Sequence, residues 1–266
     1  MQIRYVVSTM VFWWREHHLS FEQECSFLKS LGFGVELWPT IRGHNECRFT
    51  RPNWPRLYDA TKDMLVCLHS RNDGPTREEW DEQIQCAKML NACIVTDLPS
   101  LCISDKLAIA DWDFAAEVIS LAEHHKVRLC VETGQLGTLL QVGKKFKSVW
   151  YCFDTGVANL AGSTAFKRYV DALADRIVHI HLSDNYGQLD DHEPPGLREG
   201  ISRQDWEYLL NALSRFNNDI VGSLEMCPSF PDVMIRQASE FLFKIMNWPG
   251  PPHVQPGHKD GIYRPQ

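Results

Sequence analysis

The chain has 266 residues, 44% of them hydrophobic and 23% charged, which is the balance of a soluble globular protein. Lys and Arg number 27 against 34 Asp and Glu, for a net charge of −7, and no basic run exceeds the KKFK at 144–147, so a nucleic-acid partner is not expected. No stretch reaches the roughly 18 apolar residues that span a bilayer. The opening MQIRYVVSTMVFWW also lacks a signal peptide's basic start and long apolar core. A cytoplasmic protein without a membrane partner is expected.

Eight short apolar runs alternate with helical patterns along the chain. IRYVVS (3–8), FGVELW (33–38), MLVCLH (64–69) and ACIVTD (92–97) come first; VRLCVE (127–132), SVWYCFD (148–154), RIVHIHLS (176–183) and DIVGSLE (219–225) follow. Each is nearly continuous in apolar residues, as strands covered on both faces are. Between them, Thr76 and Glu79 form a capping box ahead of Trp80, Ile84, Ala87 and Leu90 at helical spacing. Phe114, Val118, Leu121 and Ala122 mark another helix. Ser202 caps one carrying Trp206, Leu209, Leu210, Leu213 and Phe216, and 230–248 reads as a long final helix.

Eight strand–helix units predict an α/β fold, a single closed (β/α)8 barrel. An open doubly wound sheet would carry a glycine-rich turn after the first strand, and VSTMVFWW has no glycine. The barrel is expected as one domain over 1–248. The proline and glycine load of PGPPHVQPGHKDGIYRPQ (249–266) predicts an irregular C-terminal tail, lying on the surface or on a neighbouring subunit of a homo-oligomer. Nine cysteines are scattered singly with no CxxC pair; Cys67, Cys93, Cys130 and Cys152 sit inside apolar runs and read as buried, reduced thiols.

In such a barrel the chemistry sits at the C-terminal ends of the strands. Those ends carry Glu36, His69, Asp97, Glu132, Asp154, His181 and Glu225. A ring of acids and imidazoles at one mouth would repel itself without a cation. Glu132, Asp154, His181 and Glu225 together offer three carboxylates and one imidazole, which suits one divalent ion: Mn²⁺ first, with Mg²⁺, Co²⁺ or Zn²⁺ as alternatives. Glu36 is expected to bind a substrate hydroxyl and His69 to reach the substrate. Trp13, Trp14 and Trp38, just past the first two strands, offer aromatic faces of the kind that line sugar pockets. His179 is expected on the outer layer of the barrel, alternating with His181, and His17, His18, His124 and His125 are expected in solvent.

The segments GVELW, VETG, CFDTG, HIHLSDNYGQLDDHEPPG and LEM resemble the xylose-isomerase-like TIM-barrel superfamily, over about residues 3–245. That superfamily holds sugar-phosphate isomerases and epimerases, ketose 3-epimerases, inosose-processing enzymes and the endonuclease IV branch. The resemblance assigns metal-ligand positions to Glu132 of VETG, Asp154 of CFDTG, His181 of HIHLSD and Glu225 of SLEM. It assigns a supporting or substrate-contact acid to Asp184, and a D-x-H element near the substrate to Asp190 and His192.

The chain departs from the pattern in three places. The family's D-x-x-H after strand six ends here in Val157, where the missing imidazole would ligate a second metal in the endonuclease branch or touch substrate in epimerases. The P-G-x-G after the D-x-H element is stretched to PGLREG. The histidine that the endonuclease branch needs near the end of strand four is absent from ACIVTDLPS.

The resemblance implies a metal-dependent isomerase or epimerase acting on a small carbohydrate, keto-sugar or cyclitol. Glu132 and Glu225 would move a proton next to a carbonyl, through an enediolate, from opposite sides of the substrate. A lyase or dehydratase acting on a keto-sugar, inosose or 3-keto-glycoside would begin with the same step and stays open as the alternative. An abasic-site hydrolase and a non-catalytic barrel are the remaining readings.

Overall fold

The computed structural model describes residues 3–13, 18–40, 47–98, 101, 111–197, 200–216 and 219–246. Trp14, His17 and the tail 249–266 lie outside the described residues. Eight parallel strands close into a barrel in chain order. They are β1 (Ile3–Ser8), β2 (Gly34–Leu37), β3 (Val66–His69), β4 (Cys93–Thr96), β5 (Leu129–Glu132), β6 (Trp150–Asp154), β7 (Ile177–Leu182) and β8 (Ile220–Leu224). The ring is sealed where β1 pairs with β8, Ile3 opposite Ile220 through Val7 opposite Leu224. Every expected strand forms, most of them trimmed at the ends; Glu225, expected inside the last one, lies one residue past it.

The α-helices among the described residues are α1 (Phe21–Ser30), α2 (Trp54–Thr61), α3 (Arg77–Leu90), α4 (Trp112–His125), α5 (Leu136–Lys145), α6 (Thr155–Asn159), α7 (Gly162–Leu173), α8 (Arg203–Leu213) and α9 (Val233–Met246). Both halves of the Thr76–Glu79 capping box are present at the start of α3, and Ser202 caps α8 by accepting from Asp205 N. Asn91 and Lys126 end α3 and α4 in the left-handed region, at φ 52° and 59°, and turn the chain into the next strand. The final helix begins at Val233 rather than 230, because Pro231 fits only ahead of or at the start of a helix. No described helix is long and apolar enough to cross a membrane.

Alternation along each strand divides the barrel into two layers. Val35, Leu37, Leu68, Ile94, Val131, Phe153 and Ile180 point outward into the shell beneath the helices, with Trp80 and Trp206 fully buried among them. Each such side chain contributes about 1.5–3 kcal/mol by leaving water. The inward layer is different: Cys67, Cys93, Cys130 and Cys152 lie there with a few valines. No disulfide joins the described cysteines.

Candidate metal centre

β5, β6, β7 and the first residue past β8 deliver Glu132, Asp154, His181 and Glu225 to one spot at the C-terminal mouth. One ligand-type atom from each lies within 4.8 Å of all the others. The convergence is on one nitrogen: His181 Nδ1 is 2.6 Å from Glu132 Oε1, 2.9 Å from Glu225 Oε2 and 3.7 Å from Asp154 Oδ2. Strand register makes this happen, because Asp154 pairs directly with His181 across β6 and β7 and Glu225 N extends the ladder to Leu182 O.

Asp154 is held from both sides. Its amide donates to Thr133 Oγ1 at 2.8 Å, and its Oδ1 accepts from Val157 N at 2.8 Å, capping α6. Its Oδ2 is buried without a hydrogen-bond partner among the described residues and faces the cluster. A buried carboxylate oxygen without a donor is costly, and a cation removes the cost. The donor set therefore fits a divalent ion: three carboxylates and one imidazole, converging in a dry interior.

The same crowding shifts the ionisation of each group. Burial pushes Glu132 up, but the His181 imidazolium beside it holds it well below the usual carboxylate range. Burial carries Asp154 up to about 6. Burial opposes charge on His181, yet the groups around it, Cys152, Glu225, Glu36 and Glu132, hold it well above the usual imidazole range.

The structure turns Glu36 toward the floor of this site. Its carboxylate is fully buried, with Oε1 3.2 Å from His181 Nε2 and Oε2 2.7 Å from His179 Nε2, near enough for ion pairs though off the line of either N–H bond. His179 itself is a correction to the expectation. It is fully buried inside the barrel, its ring 5.3 Å from that of His181, because residues two apart on a strand share a face.

His69 ends β3 and faces the site. Its Nδ1 lies 2.9 Å from Ser70 O, its Nε2 3.8 Å from Glu132 Oε2, and its ring stacks on Trp38 at 3.9 Å and 9°. Trp13 meets Trp38 edge-on at 5.0 Å, and both indole nitrogens are buried without a partner among the described residues. Of the three tryptophans named from the sequence, Trp38 is therefore the one seen against the cluster.

Asp184 is turned elsewhere. Its Oδ1 accepts from Ile201 N at 2.7 Å and Asn185 N at 2.8 Å, and its Oδ2 from Gly196 N at 3.3 Å. Those bonds fold the stretched loop after β7 onto itself, beside the paired backbones of Asp184 and Glu193. Asp190 Oδ2 pairs with His192 Nε2 at 3.3 Å, and His192 Nδ1 lies 3.3 Å from Glu225 O. The D-x-H element therefore leans on Glu225, through its backbone carbonyl at 3.3 Å and with its carboxylate 3.9 Å away. Gly156 leaves room for Asp190, since a Cβ there would lie 3.1 Å from Asp190 Oδ1 and 2.5 Å from Ser183 Oγ. Asp97 lies just past β4 and is not part of the cluster; His124 is exposed, whereas His125 lies against Asp81, 3.7 Å away.

Residues 67–245 match a family model described as xylose isomerase-like TIM barrel. The chain belongs to that family. Solved structures similar to it include a D-psicose 3-epimerase crystallised in the presence of D-fructose, 13% identical, covering 92% of this chain and 99% of that one, with a TM-score of 0.64. A xylose isomerase domain protein from Planctomyces limnophilus is similar at 13% identity, 92% and 99% coverage and TM-score 0.62. D-psicose 3-epimerase with D-tagatose from Clostridium cellulolyticum H10 follows at 13% identity, 92% and 98% coverage and TM-score 0.58. At such identities these likenesses bear on the fold. An uncharacterized protein of Methanocaldococcus jannaschii is 29% identical over 142 residues, so the match spans 48% of this chain and about half, 47%, of that relative.

Proposed function

We propose that this family member is a divalent-metal-dependent isomerase or epimerase acting on a sugar, keto-sugar or cyclitol. The observation that carries the reading is the convergence of Glu132, Asp154 and Glu225 on His181 Nδ1 at the barrel mouth. Those four residues would hold the ion, Mn²⁺ in first place given the oxygen-rich set. A bound divalent ion supplies positive charge to a substrate carbonyl and neighbouring hydroxyl, which lowers the cost of proton loss beside the carbonyl.

The residues divide the remaining work. Glu132 is the more open of the two glutamates, its side chain 16% exposed against 2% for Glu225, so it meets the substrate from the mouth. Glu132 takes the proton next to the carbonyl and Glu225, from the other side, returns one, or the reverse for the opposite direction. His69, fixed by Trp38 on one face and Ser70 O at Nδ1, offers Nε2 to a substrate oxygen. The Trp38 stack, with an indole N–H that has no partner among the described residues, suits a flat apolar wall with a hydroxyl at its edge. His192, paired with Asp190, closes the rim over Glu225.

The test is turnover in deuterated water with Mn²⁺ and a panel of ketoses, inososes and 3-keto-glycosides, followed by NMR. Isomerisation or epimerisation places deuterium on the reacting carbon. A new alkene or enone without label would transfer the assignment to a lyase, and turnover with neither would refute proton abstraction altogether.

A further inference from the structure

Beneath the mouth, the barrel interior holds sulfur and imidazole where barrels of this fold usually stack branched aliphatic side chains. Cys67 on β3 and Cys93 on β4 are direct register partners, with their sulfurs 3.4 Å apart. His179 reaches them from β7, with Nδ1 3.9 Å from Cys93 Sγ. The two sulfurs and a ring nitrogen of His179 lie within 4.8 Å of one another. Bond lengths of about 2.3 Å to sulfur and 2.0–2.1 Å to nitrogen around a tetrahedral ion put neighbouring donors roughly 3.5–3.8 Å apart. The observed separations bracket that range.

The orientation of His179 is a separate indication. A ligating histidine characteristically turns its other nitrogen to a carboxylate. His179 has a carboxylate on that side: Nε2 lies 2.7 Å from Glu36 Oε2, within ion-pair distance, and Nδ1 is on the side of the thiols. Cys130, on the adjacent β5, lies in the same inward layer. Cys67 and His179 are buried and Cys93 is partly buried.

We propose that Cys67, Cys93 and His179 form a second metal site inside the barrel that takes zinc. Soft thiolates and imidazole select zinc there, whereas the oxygen-rich cluster above selects a harder ion. Glu36 lies between the two sites, with one carboxylate oxygen toward each histidine. The lower site has donors of its own, so it stands or falls apart from the reaction proposed for the mouth.

The experiment uses the full chain, purified under reducing conditions without chelator and examined by zinc K-edge X-ray absorption with metal analysis. About one zinc per chain with a sulfur shell near 2.3 Å is expected, retained in Asp154→Ala and lost in Cys93→Ser. Replacement by Co²⁺ should likewise give thiolate-to-cobalt charge-transfer absorption that survives Asp154→Ala. If Cys93→Ser fails to fold, the wild-type and Asp154→Ala spectra decide alone. Zinc with only oxygen and nitrogen neighbours, a sulfur shell that vanishes in Asp154→Ala, no zinc at all, or a Cys67–Cys93 disulfide in mass spectra of the purified protein would each overturn the proposal.

Discussion

Glu36 Oε1 stands 3.2 Å from His181 Nε2, on the far side of the ring from the carboxylates that crowd Nδ1. The imidazole is thus held between negative charge below and the metal-ligand cluster above. Register explains the placement: Glu36 pairs with Ser8 on β1 and Cys67 on β3, and so projects into the same inner ring as the other interior side chains. A carboxylate behind a ligating histidine favours the proton on the far nitrogen and leaves the near one free for the metal.

Replacing that charge tests the relationship. Glu36→Gln keeps nearly the same shape but should weaken Mn²⁺ binding by about 10–100-fold, the usual cost of removing such a support. Competition against a fluorescent chelator measures it. Unchanged affinity would mean that His181 is oriented by its backbone alone.

The two glutamates make a kinetic claim. Glu132→Gln and Glu225→Gln should each lower kcat by at least about 10²–10⁴-fold, the typical contribution of a positioned general acid or base. Metal content measured on the same samples separates lost proton transfer from lost ligation. Metal-loaded glutamine variants with wild-type kcat would remove both residues from the chemistry.

Much of this arrangement is legible in the sequence, because most strands are apolar runs with a polar or charged residue at or next to their C-terminal end. Glu132, Asp154 and His181 could be placed at strand ends on that pattern alone. Glu36 and His179 could not be read so directly. Alternation puts residues two apart on one face, but a buried imidazole–carboxylate pair leaves no pattern that distinguishes it from a solvated one. The partners of Asp184 are not readable from spacing either: its acid is engaged by amides of Gly196 and Ile201, contacts that exist only once the long loop closes. The Trp38–His69 stack likewise joins two strands that sequence spacing cannot connect.

Away from the site, Arg48 and Glu24 form a bidentate pair at 2.7 and 2.9 Å, with side chains 7% and 2% exposed. The pair ties the segment after β2 to α1. Glu24→Gln leaves the guanidinium buried without its counter-charge and should cost about 3–5 kcal/mol in urea unfolding. The double variant Glu24→Leu/Arg48→Met should cost less than that single change. A single variant as stable as wild type would show that the pair contributes nothing net.

Asp205 gives a pH dependence. Burial pushes its carboxyl up, but hydrogen bonds from Ser202 and Ser163 and the Lys167 ammonium outweigh this and hold it below its ordinary 3.8. A folded-state value below the unfolded one stabilises fully above the unfolded value and is lost as pH falls through the folded one. Wild type should therefore exceed Asp205→Asn in stability at neutral pH, with the gap closing as pH drops below 3.8. Thermal melts of both proteins across that range measure it; a gap that is constant with pH would assign the difference to packing.

The central claim is that Glu132, Asp154, His181 and Glu225 hold one divalent ion at the barrel mouth. An anomalous-difference map from crystals grown with Mn²⁺ tests it most directly. The account predicts a single strong peak among the four side chains, about 2.0–2.2 Å from a carboxylate oxygen of each acid and from His181 Nδ1. A map with no peak there, and with the four side chains splayed beyond coordinating reach of one another, would contradict it.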